Sequence, residues 1–123
     1  MTNSSDPRHH KRIRLLKAIY SHQFPQTKPL PLKTSERDEY KKIINEIPEI
    51  NKLINNYAVK FSVDKMSKID LSILQLGMYE LSKNRKTPPK VVINECIELA
   101  KEFGAEKSYQ LVNGILGKFI EKK

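Results

Sequence analysis

Acidic residues are missing between Asp6 and Glu36, while Arg8, Lys11, Arg12, Arg14, Lys17, Lys28 and Lys33 all fall inside that gap. From Glu36 onward acids and bases are much closer to balance, so the formal net charge of +9 is weighted toward the N-terminus. A localised basic stretch points to a polyanionic partner. Long apolar runs are also lacking, which argues against a membrane span and leaves nucleic acid as the leading class. The first residues are polar and basic without an apolar signal region, so a cytoplasmic protein is expected. Cysteine is nearly absent: Cys96 stands alone. That excludes an intrachain disulfide framework and fits a reducing compartment. No segment shows the two-residue alternation of a half-buried strand. Asn113-Gly114 resembles a hairpin turn, but its flanks keep a helical period.

Recognisable catalytic machinery is absent as well. The chain has no glycine-rich phosphate loop, no HExxH and no CxxC. His9, His10 and His22 are poorly spaced for a metal, and Glu95, Glu98 and Glu102, interleaved with lysine, read as a solvated helix face. Cys96 lies among apolar positions and reads as a buried structural thiol rather than a nucleophile. The expectation is a non-enzymatic protein without metal or cofactor.

What is present is helical. With 38% apolar and 30% charged residues over 123 positions, the chain suits one soluble domain. Residues 1–6 read as a disordered tail. Ser5 or Asp6 before Pro7 is a helix start, and the helix should run to about Phe24. Pro25, Pro29 and Pro31 mark an extended linker. Ser35 and Asp38 have capping-box spacing for a helix over residues 36–47. Pro48 opens another, in which Ile50, Leu53, Ile54, Tyr57 and Phe61 follow helical spacing. Ser67 and Asp70 cap a fourth helix reaching Lys83, with apolar strips on two sides and Ser72, Gln75, Tyr79 and Lys83 toward solvent. Thr87 is the expected cap of a fifth. At 100° per residue its Val92, Ile93, Cys96, Ile97, Leu99, Ala100 and Phe103 fall in one apolar arc, and Gly104 stands where a left-handed C-cap is wanted. Leu111, Val112, Ile115, Leu116, Phe119 and Ile120 share one face of the last helix with Tyr109. The class is all-α, with residues 7–66 and 67–123 as two small three-helix units.

The basic arm is the strongest functional element, since lysine and arginine neutralise phosphates and release counterions. Tyr20 and Tyr109 offer stacking surfaces for unpaired bases, but both lie on apolar faces, so core packing is favoured for each. Gly114 and Gly117 project from the polar side of the last helix, where glycine costs roughly 0.5–1 kcal/mol relative to alanine. Close approach by another backbone or by RNA is one explanation, and loosening near the C-terminus is the other.

The wording of the C-terminal half carries a resemblance. MYELSK at residues 78–83 and INECIELAKEFGAEKSYQLVNGILGK at residues 93–118 closely resemble the NusB family of transcription antitermination factors. PRHHKRIRLLKAIYSHQF also fits that family's opening basic arm and helix, while residues 25–66 are similar only in helical character and look short. The resemblance implies two three-helix bundles packed across one another. It further implies binding of single-stranded box A RNA from ribosomal operons, jointly with the ribosomal protein that acts as NusE, within the RNA polymerase antitermination complex. By alignment the RNA-contacting arm maps onto Arg8, His9, His10, Lys11, Arg12, Arg14 and Lys17. Lys107 and Gln110, in the turn at residues 104–110, form a second wall. Lys107 stands where the family is often acidic, and Leu111 where phenylalanine is frequent. The NusE surface is expected on the C-terminal bundle, at Asp70, Tyr79 and Glu80. The alternatives are a NusB-like RNA-handling domain serving a ribosomal-RNA methyltransferase or another RNA-processing enzyme, and a protein-only adaptor.

Overall fold

The computed structural model describes residues 6–24, 28 and 31–122. Those residues form six α-helices and one short 3-10 turn, without strands. The linker positions Pro25 and Pro29 and the tail before Asp6 lie outside them. Helix α1 (Pro7–His22) starts as its sequence dictates: the Asp6 carboxylate accepts from the Arg8 N–H at 2.9 Å and Pro7 follows. Asp6 is therefore the cap rather than the last residue of a tail. The helix stops two residues short of Phe24. Helix α2 (Thr34–Asn45) begins earlier than the Ser35–Asp38 spacing suggests, because Glu36 reaches back to the Lys33 N–H at 3.4 Å. Helix α3 (Ile47–Tyr57) carries Pro48 in its first turn. It does not continue to Phe61: Ala58 turns extended, and Asn55 Oδ1 accepts from the Val63 N–H at 2.9 Å to close the connection to the 3-10 turn Val63–Lys65. Phe61 is consequently left 46% exposed.

Helix α4 (Lys68–Ser82) starts at Ser67, whose hydroxyl accepts from the Asp70 N–H at 3.2 Å. Every residue from Ser72 to Leu81 is buried, which corrects the solvent-facing assignment of Ser72, Gln75 and Tyr79. Their polar atoms read as surface, yet neighbouring segments cover all three and supply partners to Ser72 and Gln75. Gln23 Nε2 donates to Ser72 Oγ at 2.7 Å, and Gln75 Nε2 donates to Asn51 Oδ1 at 3.0 Å. A buried polar group so paired avoids the desolvation penalty of an unmade bond.

Helix α5 (Pro89–Phe103) begins at Pro88 without a side-chain cap, so Thr87 does not play that part. Its Val92, Cys96, Leu99 and Ala100 are buried, as the apolar arc requires. Gly104 has φ −93° and ψ −171°, an extended backbone rather than the left-handed cap expected. Glycine is needed there for room: an added Cβ would stand 2.6 Å from the Ser108 side chain and 2.8 Å from the Ala100 carbonyl oxygen. Helix α6 (Ser108–Lys122) then packs Val112, Ile115, Leu116 and Phe119 inward.

Helices α4, α5 and α6 form one three-helix unit, with α1 and α3 laid chiefly on α4 and α2 bracing the two. The core is a single cluster running from Leu15, Leu16 and Ile19 through Ile43, Ile50 and Ile54 to Leu116 and Phe119. Burying each such side chain contributes about 1.5–3 kcal/mol. Gly77 marks a close approach between helices within the core, since a Cβ there would lie 2.7 Å from Cys96 Sγ and 2.8 Å from Leu116 Cδ1.

Candidate nucleic-acid and partner interface

Helical phase divides the basic arm. His9, Arg12, Leu16 and Ile19 fall on one strip of α1, and all four are buried. The start of α1 does not project from the core; it is seated on α4 and α5. Arg12 Nε and Nη2 each donate to a Glu80 carboxylate oxygen at 2.9 Å, a bidentate pair, and Nη1 lies 3.7 Å from Glu95. Burial works against the Arg12 charge, but the Glu80 hydrogen bonds and the nearby Glu80 and Glu95 charges outweigh it and raise its pKa. His9 places Nδ1 at 3.0 Å from Glu95 and Nε2 at 3.6 Å from Glu102. Glu95 and Glu102 are therefore partners of α1 and not merely a solvated face. Of the arm residues expected to contact RNA, His9 and Arg12 are enclosed in this structure and engaged with carboxylates. The clue available in sequence was their register with Leu16 and Ile19.

The other arm cations are more open, yet most are also paired. Arg8 joins Asp6 at 3.1 Å, Lys11 joins Glu39 at 2.6 Å, and Arg14 donates to Glu36 at 3.0 and 2.6 Å. Arg14's hydrogen bonds hold the Glu36 carboxyl below its usual range. His10 and Lys17 are exposed without an ion pair among the described residues. Lys17 Nζ stands 6.0 Å from the centre of the Phe103 ring, and both line a cavity of about 390 Å³ with Leu16, Tyr20, Ser21 and Ile69. Tyr20 is 37% exposed and packs on Phe24 with ring centres 5.0 Å apart, so it is less of a core residue than its apolar strip suggests. Tyr109 is half-buried beneath Lys101 Nζ, 5.5 Å from its ring centre.

Lys107 and Gln110 are exposed but belong to a different recess. They line a groove of about 470 Å³ together with Val59, Phe61, Asp70 and Lys118. Ile69 and Phe103 border the first cavity, and Asp70 and Ala105 the second, so the two lie on either side of the start of α4 and the end of α5. Leu111 and Gly114 line the groove as well. A Cβ added at Gly114 or Gly117 would meet nothing within 4 Å, so no described segment of this chain requires either glycine by close approach.

Among the three residues assigned to a protein partner, only Asp70 is suitably placed. It is half-buried in the groove wall, and its Oδ1 is buried without a hydrogen-bond partner among the described residues. Tyr79 is 5% exposed and Glu80 8% exposed, with Glu80 committed to Arg12. Both are thus enclosed in this structure, without the exposure from which they were assigned to a partner. Sequence reasoning missed Val59 and Phe61 as groove residues because Phe61 was read as the end of a helix.

No group of three or more His, Cys, Asp or Glu residues among the described residues is arranged to hold a metal ion. Burial pushes the Cys96 thiol far above its usual range, the opposite of nucleophile activation. No helix of the described residues is long and apolar enough to cross a membrane.

The sequence model of the NusB family matches residues 9–121. The transcription antitermination protein NusB of Finegoldia magna is 45% identical over 80 residues, 65% of this chain and 58% of that protein. Its counterpart from Streptomyces avermitilis is 45% identical over 84 residues, 68% of this chain and 56% of that protein. The matched stretch thus spans less than two thirds of either relative's length. Among solved structures, T. maritima NusB superposes with a TM-score of 0.81 at 29% identity, covering 95% of this chain and 92% of that one. A structure of the antitermination factors NusB and NusE in complex with dsRNA superposes with a TM-score of 0.75, covering 96% and 100%, and at 21% identity that likeness is one of fold. Five helices arranged around a buried sixth, and a family pattern running through them from residue 9 to residue 121, lead to one conclusion: the chain belongs to the NusB family.

Proposed function

We propose that this protein is a non-enzymatic, RNA-binding transcription antitermination factor of the cytoplasm. It binds box A of nascent ribosomal-operon RNA together with the ribosomal protein that acts as NusE, and so joins the RNA polymerase antitermination complex. The observation that carries this reading is the family match over residues 9–121. The charge distribution supports it, because cations exposed along α1 attract a phosphate backbone and release its counterions.

The roles divide by environment. His10 and Lys17 meet phosphate directly. Arg8, Lys11 and Arg14 exchange their carboxylate partners for phosphate oxygens, while His9 and Arg12 act indirectly by holding α1 against α4 and α5. Tyr20 and Phe103, bordering the cavity beside Lys17, give an unstacked base an aromatic surface. The groove at Asp70 takes the protein partner: its apolar side chains Val59 and Phe61 provide contact area, and the unsatisfied Asp70 oxygen is suited to a donor from NusE. Lys107 and Gln110 sit at the edge of that groove, where RNA and partner meet.

The test is binding to box A RNA against a shuffled strand over a salt series, with and without NusE. Preference for box A that increases with NusE is the expected result, and equal affinity for both strands with NusE present overturns the reading. The double variant H10E/K17E separates it from a protein-only adaptor, since an adaptor would keep its cellular function.

A further inference from the structure

The basic stretch of α1 is largely neutralised by this chain's own acids, which moves attention to cations that are not. Arg85, Lys86 and Lys90 follow the end of α4, in the loop to α5 and its first turn. All three are exposed and without an ion pair among the described residues. The first turn of α5 contains no acidic residue to offset them. One carboxylate ties this loop to the arm: Glu39 receives Lys11 Nζ on Oε1 at 2.6 Å and Asn84 Nδ2 on Oε2 at 3.2 Å. Asn84 directly precedes Arg85. On the other side, Glu95 of α5 receives both His9 and Arg12 of α1. Lys90 stands five residues before it, about 7.5 Å along the helix axis at 1.5 Å per residue.

We propose that the α4–α5 loop is a second phosphate-binding element, with Arg85, Lys86 and Lys90 holding the backbone of the RNA strand that crosses the start of α1. The inference rests on the RNA-binding reading above and extends its site from one helix to a composite surface. Glu39 and Glu95 serve as positioning residues, because they fix the loop and the arm to one another. Charge in this arrangement acts on the phosphate chain rather than on base edges, so the loop strengthens binding without choosing sequence.

The test compares the full chain with R85Q/K86Q/K90Q in binding box A RNA across a salt series. A single-stranded partner contributes about 0.7 to the slope of log affinity against log salt for each phosphate neutralised. Loss of three contacts should therefore flatten the slope by about 2, and preference for box A over a shuffled strand should persist. The control variant K41Q/K42Q/K52Q removes equal charge from exposed positions of α2 and α3 and should leave the slope nearly unchanged. Circular dichroism of all three proteins establishes that each is folded. An unchanged slope in the loop variant overturns the inference, as does an equal change in the control, which would assign the effect to total charge. Loss of NusE binding with intact RNA binding would assign the loop to a protein instead and overturn it too. Failure of the unaltered chain to bind RNA at any salt concentration defeats the parent reading, an outcome distinct from all of these.

Discussion

Arg12 shows how one residue's environment reverses its apparent role. In sequence it is one more cation in a basic arm, and in the fold it is an 8% exposed side chain joining α1 to α4 and α5. Removing one member of a buried pair leaves the other charge uncompensated, at a cost of about 3–5 kcal/mol. Arg12→Ala should destabilise the protein by that amount in urea denaturation. Replacing both partners, as in R12M/E80L, should recover much of the loss because no buried charge is then stranded. If the single variant were as stable as the parent, the pair would not be holding α1. Its partners lay beyond sequence reading for a physical reason: Glu80 is 68 positions away, and only the packing of α1 across α4 brings the two together. Lys17 is different, since its exposure follows from helical phase alone.

At the level of the helix, two glycines separate close packing from open surface. Gly77 faces Cys96 and Leu116 with no room for a methyl group, whereas Gly114 faces open space. Gly77→Ala should cost about 1–3 kcal/mol through overpacking. Gly114→Ala should stabilise by about 0.5–1 kcal/mol through helix propensity. Thermal melts of the two variants should thus move in opposite directions. Helix starts governed by local chemistry, Asp6–Pro7 and Ser67, were readable directly. The start of α2 and the setting of Gly104 were not, because Glu36 answers to Arg14 as well as to its own helix, and Gly104 answers to Ser108. The polar residues of α4 were misplaced for a related reason. Ser72 and Gln75 obey the rule that buried polar groups are paired, but their partners Gln23, just past the end of α1, and Asn51 of α3 come from other parts of the chain.

For the molecule as a whole, carboxylates clasp α1 on several sides: Glu36 and Glu39 from α2, Glu80 from α4, and Glu95 and Glu102 from α5. Acid should loosen that clasp. Hydrogen bonding to Arg14 lowers the folded-state pKa of Glu36 below its unfolded value. Its stabilising contribution is therefore complete above the unfolded value and disappears as pH falls through the folded one. Melting temperature followed from about pH 5 to about pH 3 should drop for the unaltered chain. Glu36→Gln should begin lower and fall less steeply, so that the two curves converge in acid; parallel curves would remove Glu36 from the acid response. The all-helical architecture was legible from periodicity, whereas this network was not, since its members meet only after the helices have packed.

The burial of α4 also bears on how the protein is made. Ribosomes release a chain from its N-terminus, so α1, α2 and α3 emerge before the helix on which α1 and α3 chiefly rest. Until Ser82 has been synthesised, Leu15, Leu16, Ile50 and Ile54 lack their main apolar neighbour, and Arg12 lacks Glu80. The first half of the molecule must wait for its middle, and α4 in turn stays uncovered on the sides that α5 and α6 close when they follow.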